Sequence, residues 1–134
     1  LFSERAYMTF GNFGPIVCDV QPFGQVWPGA WEDAATVETM LERLAGDAFC
    51  HRISPPNRYR EAVVEALVAA RCELVLCQLA QTDDTFGWEI PDLSRQLAAS
   101  GIGFVNLGFR DAQPDDAWLA RAGVLIERAL EARP

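Results

Sequence analysis

The sequence contains no lysine: its eleven basic residues are all arginine, and they stand against 19 carboxylates for a formal net charge of −8. Without lysine the chain has no lysine nucleophile and no Schiff-base site, so PLP chemistry carried by this chain alone is excluded. The negative charge repels phosphate backbones, which argues against nucleic-acid binding. No apolar run approaches the roughly 20 residues that a membrane-spanning helix requires, so no membrane span is expected.

Several motifs that identify common enzymes are also missing. There is no GxGxxG fingerprint and no Walker A sequence, so the chain has no dinucleotide motif and no familiar phosphate-binding loop. No GxSxG elbow accompanies the single histidine, His51, which is either a base or a solvated, hydrogen-bonded side chain. The four cysteines form no CxxC pair of the kind that binds zinc. Thiols in an apolar run favour a reducing, cytoplasmic compartment, and two disulfides in a secreted domain are the alternative.

The length and composition indicate one folded domain. At 134 residues, half of them hydrophobic, the chain is long enough to build its own core. It begins at Leu1 and shows no secretory signal pattern, so we expect it to be part of a larger chain or complex.

The order of apolar patterns predicts a β-α-β-α-β-α-β-α domain. The run ELVLCQLA is the best candidate for a strand that is buried on both faces. Short strands alternating with helices predict an α/β fold with a flavodoxin-like, four-stranded parallel sheet and helices on both faces. The predicted strands are residues 6–10, 48–53, 73–80 and 102–109, and the predicted helices are residues 32–44, 58–71, 91–100 and 115–132.

Polar and aromatic residues follow the predicted strands. Because the carboxyl ends of parallel strands share one edge of a sheet, ligands of such folds bind there. The long loop at residues 11–31 brings Cys18 and several aromatic residues, and is either a functional loop or a lid over the core. Cys50 and His51 approach the next loop, and Asp83 follows the buried strand. Asp83 and the aspartate after it are either magnesium ligands or capping residues, and the missing lysine argues against a receiver domain.

Two stretches at these loops form a recognisable pair. They are CHRISPPNR at residues 50–58, which leads into a helix, and DDTFGWEIP at residues 83–91, which follows the apolar strand. Together they resemble the C-terminal domain of the 2-hydroxyacyl-CoA dehydratase and benzoyl-CoA reductase family, over about residues 48–130. Members of that family are anaerobic enzymes whose cysteines hold iron–sulfur clusters, and they dehydrate or reduce acyl-CoA thioesters.

The resemblance implies a divergent iron–sulfur subunit of lyase or oxidoreductase type, with a [4Fe-4S] cluster. Its ligands would be Cys50 and Cys18, with Asp83 as a substitute where the family has a cysteine. A carboxylate is a harder ligand than a thiolate, so Asp83 would weaken and retune the site. Glu89 or His51 would handle protons. The family's other domain is not in this sequence, so a second domain or subunit would complete the site in an oligomer or hetero-complex.

Two other interpretations stay open. In the first, the fold is a cluster-free structural or partner-binding subunit, and the aromatic loop at residues 11–31 packs against another chain. The missing cysteine and the tryptophans favour it, since tryptophan is typical of interface anchors. In the second, the chain is a flavodoxin-like ligand-binding domain that is unrelated to the dehydratase family.

Overall fold

The computed structural model describes residues 3–20, 36–46, 56–83, 86–110 and 113–132. Within these ranges it contains five α-helices, one short 3₁₀ turn and two β-strands. In chain order these are α1 (Glu4–Gly11), α2 (Val37–Gly46), α3 (Pro56–Ala69), β1 (Leu74–Ala80), the 3₁₀ turn (Phe86–Trp88), α4 (Ile90–Ala99), β2 (Gly103–Arg110) and α5 (Asp116–Glu131).

Residues 6–10, predicted to be the first strand, lie in helix α1 instead. Ser3 caps this helix, because its Oγ accepts a hydrogen bond from the backbone N–H of Ala6 at 3.5 Å. Ala6 and Phe10 are four residues apart and therefore lie on the same side of the helix, where both are buried. Helical spacing of the apolar residues has thus outweighed the strand preference of the aromatic ones.

The sheet has two strands in the described part of the chain, whereas the sequence predicted four. β1 and β2 pair in parallel, from Leu74 opposite Gly103 to Ala80 opposite Arg110. The crossover between them contains the 3₁₀ turn and α4. The predicted four-stranded, flavodoxin-like sheet is therefore wrong. Its first strand is helix α1, and its second, at residues 48–53, lies outside the described residues.

An irregularity interrupts the strand pairing near the carboxyl ends. Cys77 is opposite Asn106 whereas Leu79 is opposite Phe109, so β2 carries one extra residue here. Gly108 lies in this stretch with a φ of 74°, which glycine adopts without a steric penalty. Its N–H donates to Oδ1 of Asn106 at 2.9 Å. The two strands are therefore paired regularly at their amino ends and distorted at their carboxyl ends.

Side chains of the two strands pack on both sides of this small sheet. On the side that we name the α1–α5 face, leucines of β1 and the buried Val105 and Leu107 of β2 meet helices α1 and α5. On the opposite side, the α3–α4 face, Val75 and Phe104 pack against helices α3 and α4. Successive strand residues point to opposite faces, which explains the division. The buried core residues are Ala6, Phe10, Val105, Leu107, Trp118, Leu119, Ala122 and Ile126 on the first face, and Tyr59, Val63, Leu67, Leu93, Leu97 and Ile102 on the second.

The other predicted elements agree with the structure to different degrees. The helices predicted at residues 58–71, 91–100 and 115–132 are observed as α3, α4 and α5, with ends that differ by one or two residues. Helix α2 begins at Val37, and the earlier part of its predicted range lies outside the described residues. The described part of the predicted loop at 11–31 contains no strand and no helix after α1. None of the described helices has the length and apolar character needed to cross a membrane.

Candidate functional site

Polar side chains from three elements meet near the carboxyl end of β1. The first turns of α3, strand β1 with the turn after it, and the start of α4 each contribute two of them. Ion pairs and electrostatic interactions connect these side chains. We name this group the strand-end cluster: Tyr59, Arg60, Cys77, Asp83, Glu89 and Asp92.

An ion pair between Arg60 and Glu89 holds α3 against the start of α4. Nη1 of Arg60 donates to Oε2 of Glu89, and the two side chains are only 15% and 21% exposed. Nη2 of Arg60 also lies 3.9 Å from Oδ2 of Asp92, whose other oxygen pairs with Arg95. Glu89 stands at the N-cap of α4 but makes no capping bond with its side chain. The Glu89 carboxylate therefore links α3 to α4 and does not cap α4.

Asp83 fixes the turn that follows β1. Its Oδ1 accepts a hydrogen bond from the backbone N–H of Phe86 at 2.8 Å, and its own N–H donates to the carbonyl of Ala80 at 2.9 Å. The Phe86 ring packs edge-on against Tyr59, with 5.4 Å between the ring centroids. Asp83 thus acts as a capping residue for the 3₁₀ turn, one of the two roles that the sequence left open.

Burial sets the protonation of the neutral members of the cluster. It raises the pKa of the Cys77 thiol to about 11, and the nearby Asp83 carboxylate adds to the effect. Burial also raises the pKa of the Tyr59 hydroxyl. The acidic groups of Cys77, Asp83 and Glu89 raise that pKa further, because negative charges near a phenol disfavour its ionisation. At neutral pH the phenol and the thiol both keep their protons.

The cluster therefore offers a buried hydroxyl and a structured ion pair rather than an activated nucleophile. A thiolate is the reactive form of cysteine, and a thiol whose pKa is about 11 supplies little of it at neutral pH. The guanidinium of Arg60 is engaged by two carboxylates. Its Nε is buried and has no hydrogen-bond partner among the described residues. These properties suit a rigid support for a neighbouring surface better than nucleophilic catalysis.

The predicted site residues are distributed as follows. Asp83 and Glu89 belong to the strand-end cluster, whereas Cys50 and His51 lie outside the described residues. Cys18 packs against the α3–α4 face, and burial raises the pKa of its thiol. In the described part of the chain, no three side chains of His, Cys, Asp or Glu are grouped so that they could hold a metal ion.

The described residues therefore do not supply the ligand set of an iron–sulfur cluster. Cys18 is a protonated, half-buried thiol in apolar surroundings, and Asp83 already accepts a backbone hydrogen bond. Because Cys50 falls outside the described residues, its predicted role as a ligand stays a prediction.

Sequence reasoning missed four members of the cluster, Tyr59, Arg60, Cys77 and Asp92. Arg60 and Glu89 are 29 residues apart, so no local pattern connects them. Tyr59 occupies a helical position whose spacing to Val63 and Leu67 indicates only a core residue. Cys77 was predicted to be an ordinary buried thiol, because it lies inside an apolar strand. Only tertiary structure brings these side chains to one place.

Two large aromatic side chains are exposed beside the strand-end cluster. Trp88 ends the 3₁₀ turn and is 84% exposed, and Phe109, near the end of β2, is 52% exposed. The Phe109 ring lies close to Gly87, the residue before Trp88, since a Cβ added to Gly87 would be 3.9 Å from Cζ of Phe109. We name Trp88 and Phe109 the aromatic edge.

The strand-end cluster and the aromatic edge together make the carboxyl end of the sheet the candidate functional site. Comparison of the chain with protein-family models, with curated proteins and with solved structures gave no significant match.

Proposed function

We propose that this chain is a cluster-free, partner-binding domain that meets a second domain or subunit at the carboxyl end of its sheet. The observation that carries the proposal is the exposure of Trp88, 84%, with Phe109, which lies near Gly87, 52% exposed. Tryptophan is enriched in the anchors of protein interfaces, where burying one ring removes a large apolar area from water. A single exposed apolar residue is ordinary, but two aromatic rings at one edge favour a docking surface.

The structure beneath the aromatic edge supports the proposal. Asp83 caps the 3₁₀ turn that presents Trp88, and the Arg60–Glu89 pair holds the start of the helix that follows it. An anchor on a rigid support loses less conformational entropy on binding than an anchor on a free loop. The aromatic edge would therefore need little further ordering when a partner binds.

A second candidate function is one half of an acyl-CoA dehydratase or reductase site. It is favoured by contacts between the residues that follow the first of the two resembling stretches and residues of the second stretch. Tyr59 and Arg60 come directly after residues 50–58, and they contact Phe86 and Glu89 within residues 83–91. In this case the partner would complete the thioester site, and proton handling by Glu89 would require its carboxylate to leave the ion pair with Arg60.

A cytoplasmic location belongs to the same proposal. Among the described cysteines, which are Cys18, Cys72 and Cys77, no disulfide is formed. Cysteines outside disulfides suit a reducing compartment, where disulfides rarely persist.

The native mass of the protein tests the partner-binding function. We expect the chain to form an assembly heavier than one chain. It should elute as such from a size-exclusion column loaded with an extract of its own cells, and light scattering should give the same mass after purification. Trp88→Ala and Phe109→Ala should release the single chain, whereas Leu41→Ala, at another exposed apolar position on α2, should not. A chain that is monomeric at micromolar concentration in both samples would end the proposal.

Iron and sulfide content tests the second candidate. Protein purified without oxygen should contain both elements if the chain helps to hold a cluster, and Cys50→Ala should lose them together with the brown colour. Colourless, iron-free protein from an anaerobic preparation would remove this candidate and leave the partner-binding function untouched.

A further inference from the structure

The segment that follows helix α1 passes from one face of the sheet to the other. Phe13 packs with the core of the α1–α5 face, and its Cζ would lie 3.6 Å from a Cβ added to Gly123 of α5. Five residues later, Cys18 packs against the core of the α3–α4 face. We name residues 13–20 the strap. Its two ends therefore contact opposite faces of the same small sheet.

The strap has few of the interactions that stabilise local structure. In the described part of the chain, no backbone hydrogen bond involves residues 14–18. Ile16 and Val17, in the middle of the strap, are 47% and 53% exposed. Segments with few backbone hydrogen bonds and few buried contacts open at a lower free energy than the helices and strands around them. We therefore expect the strap to open more readily than the rest of the described fold.

A side-chain hydrogen bond ties the strap to helix α1. The Tyr7 hydroxyl donates to Oδ2 of Asp19, in a partly buried position. Hydrogen bonds to a charged acceptor contribute more to stability than those between neutral groups. Asp19 follows Cys18 directly, so this bond holds the end of the strap at which the thiol is half-buried.

We propose that the strap is a releasable segment whose second end detaches from the α3–α4 face, and that the Tyr7–Asp19 hydrogen bond controls how often it does so. Release exposes the Cys18 thiol and the core surface that Cys18 and Val20 cover, while the two strands and helices α3, α4 and α5 keep their structure. This inference goes beyond the proposed partner-binding function and does not depend on it. The strap shares no residue with the strand-end cluster or with the aromatic edge.

The alkylation rate of Cys18 in the folded protein measures this release. The chain is treated with iodoacetamide, and the modified cysteines are located by peptide mapping. Tyr7→Phe removes only the hydroxyl, so alkylation of Cys18 should become about tenfold faster, the change in open population that the loss of a hydrogen bond to a charged group produces. Asp19→Asn keeps an acceptor oxygen without its charge, so its rate should lie between those of Tyr7→Phe and the native chain. Alkylation of Cys77, inside β1, should change much less in both variants.

Thr9→Ala provides the matched control on the same helix. The Thr9 hydroxyl donates to a backbone carbonyl of α1, a hydrogen bond that does not reach the strap, so this variant should alkylate Cys18 at the native rate. An unchanged Cys18 rate in Tyr7→Phe would overturn the inference. Equal acceleration of Cys18 and Cys77 in that variant would overturn it as well, because the whole fold would then be opening rather than the strap.

Discussion

The two faces of the sheet differ in what they bury. The α1–α5 face is built from aliphatic and aromatic residues, and the one buried polar atom without a partner among its described residues is Nε1 of Trp118. The α3–α4 face, by contrast, contains the Tyr59 hydroxyl and the thiols of Cys18 and Cys72. It also leads directly to the Arg60–Glu89 ion pair.

This difference indicates which face of the sheet has a role beyond stabilising the fold. An apolar face can be replaced by other apolar residues of similar volume with limited loss. Buried ionisable groups are costly to maintain unless their partners are in place, so they mark positions with a specific role. Tyr59, Cys77 and the Arg60–Glu89 pair lie near one another on the side of β1 that leads to the turn after it, whereas Cys72 lies at the amino end of the strand. The α1–α5 face supports the fold, and the α3–α4 face supports the candidate site.

Truncating the core on each face gives the largest expected effect. Ile126 on the α1–α5 face and Leu97 on the α3–α4 face are both fully buried. Either change to alanine should lower the free energy of unfolding by about 3 kcal/mol, measured by urea denaturation, because it leaves a cavity. Only Leu97→Ala should also speed the alkylation of Cys77 in the folded protein, followed by peptide mapping. Equal acceleration by Ile126→Ala would show that the two faces are not independent.

Removing the Arg60 side chain should lower the free energy of unfolding nearly as much. Arg60→Ala leaves two carboxylates together in a half-buried position, so we expect a loss of about 2 to 3 kcal/mol in urea denaturation. Arg95→Ala provides the matched control, because its side chain is 77% exposed and its ion pair with Asp92 should contribute less than about 1 kcal/mol. The double variant Arg60→Ala with Glu89→Gln should be less destabilised than Arg60→Ala alone. A larger loss in the double variant would contradict a buried-charge explanation.

Alkaline pH should destabilise the protein through ionisation of groups on the α3–α4 face. Below pH 9 the Cys77 thiol is protonated in both the folded and the unfolded chain, so it gives no pH dependence. Between its ordinary pKa of 9.0 and the folded value of about 11, only the folded chain keeps the proton, so stability falls as pH rises. By pH 10.5 the loss should reach about 2 kcal/mol. Tyr59 acts in the same direction at higher pH, because its pKa is raised too.

Urea denaturation at pH 8 and pH 10.5 measures this effect. In Cys77→Ala the part of the loss due to the thiol should disappear, so its stability relative to the native chain should improve by about 2 kcal/mol between the two pH values. Ile126→Ala should keep the native pH dependence. An unchanged pH dependence in Cys77→Ala would show that the thiol is not desolvated in the folded chain.

The sequence alone predicted the parts of this structure that depend on local patterns. The apolar run at residues 73–80 is strand β1 (Leu74–Ala80), and the spacing of Leu119, Ala122 and Ile126 forms the buried side of α5. The prediction of a strand at residues 6–10 was wrong because the aromatic residues there favour strands, while the cap at Ser3 and the Ala6–Phe10 spacing favour a helix. The predicted four-stranded sheet was wrong as well, because it counted these residues as its first strand. In the site, Asp83 and Glu89 were placed after the right strand, but Arg60 has no sequence signal that connects it to Glu89.

The smallest expected effect concerns the irregular carboxyl end of β2. Gly108→Ala places a Cβ at a φ of 74°, and although no atom lies within 4 Å of that Cβ, the conformation itself should cost about 1 kcal/mol. Gly11→Ala is the control, because Gly11 ends helix α1 without a positive φ and should be neutral or slightly stabilising. Both are measured by urea denaturation. Since the irregularity directly precedes Phe109, Gly108→Ala should also weaken the proposed assembly in light scattering, whereas Gly11→Ala should not. A destabilised Gly108→Ala that assembles like the native chain would show that Phe109 is positioned without the irregularity in β2.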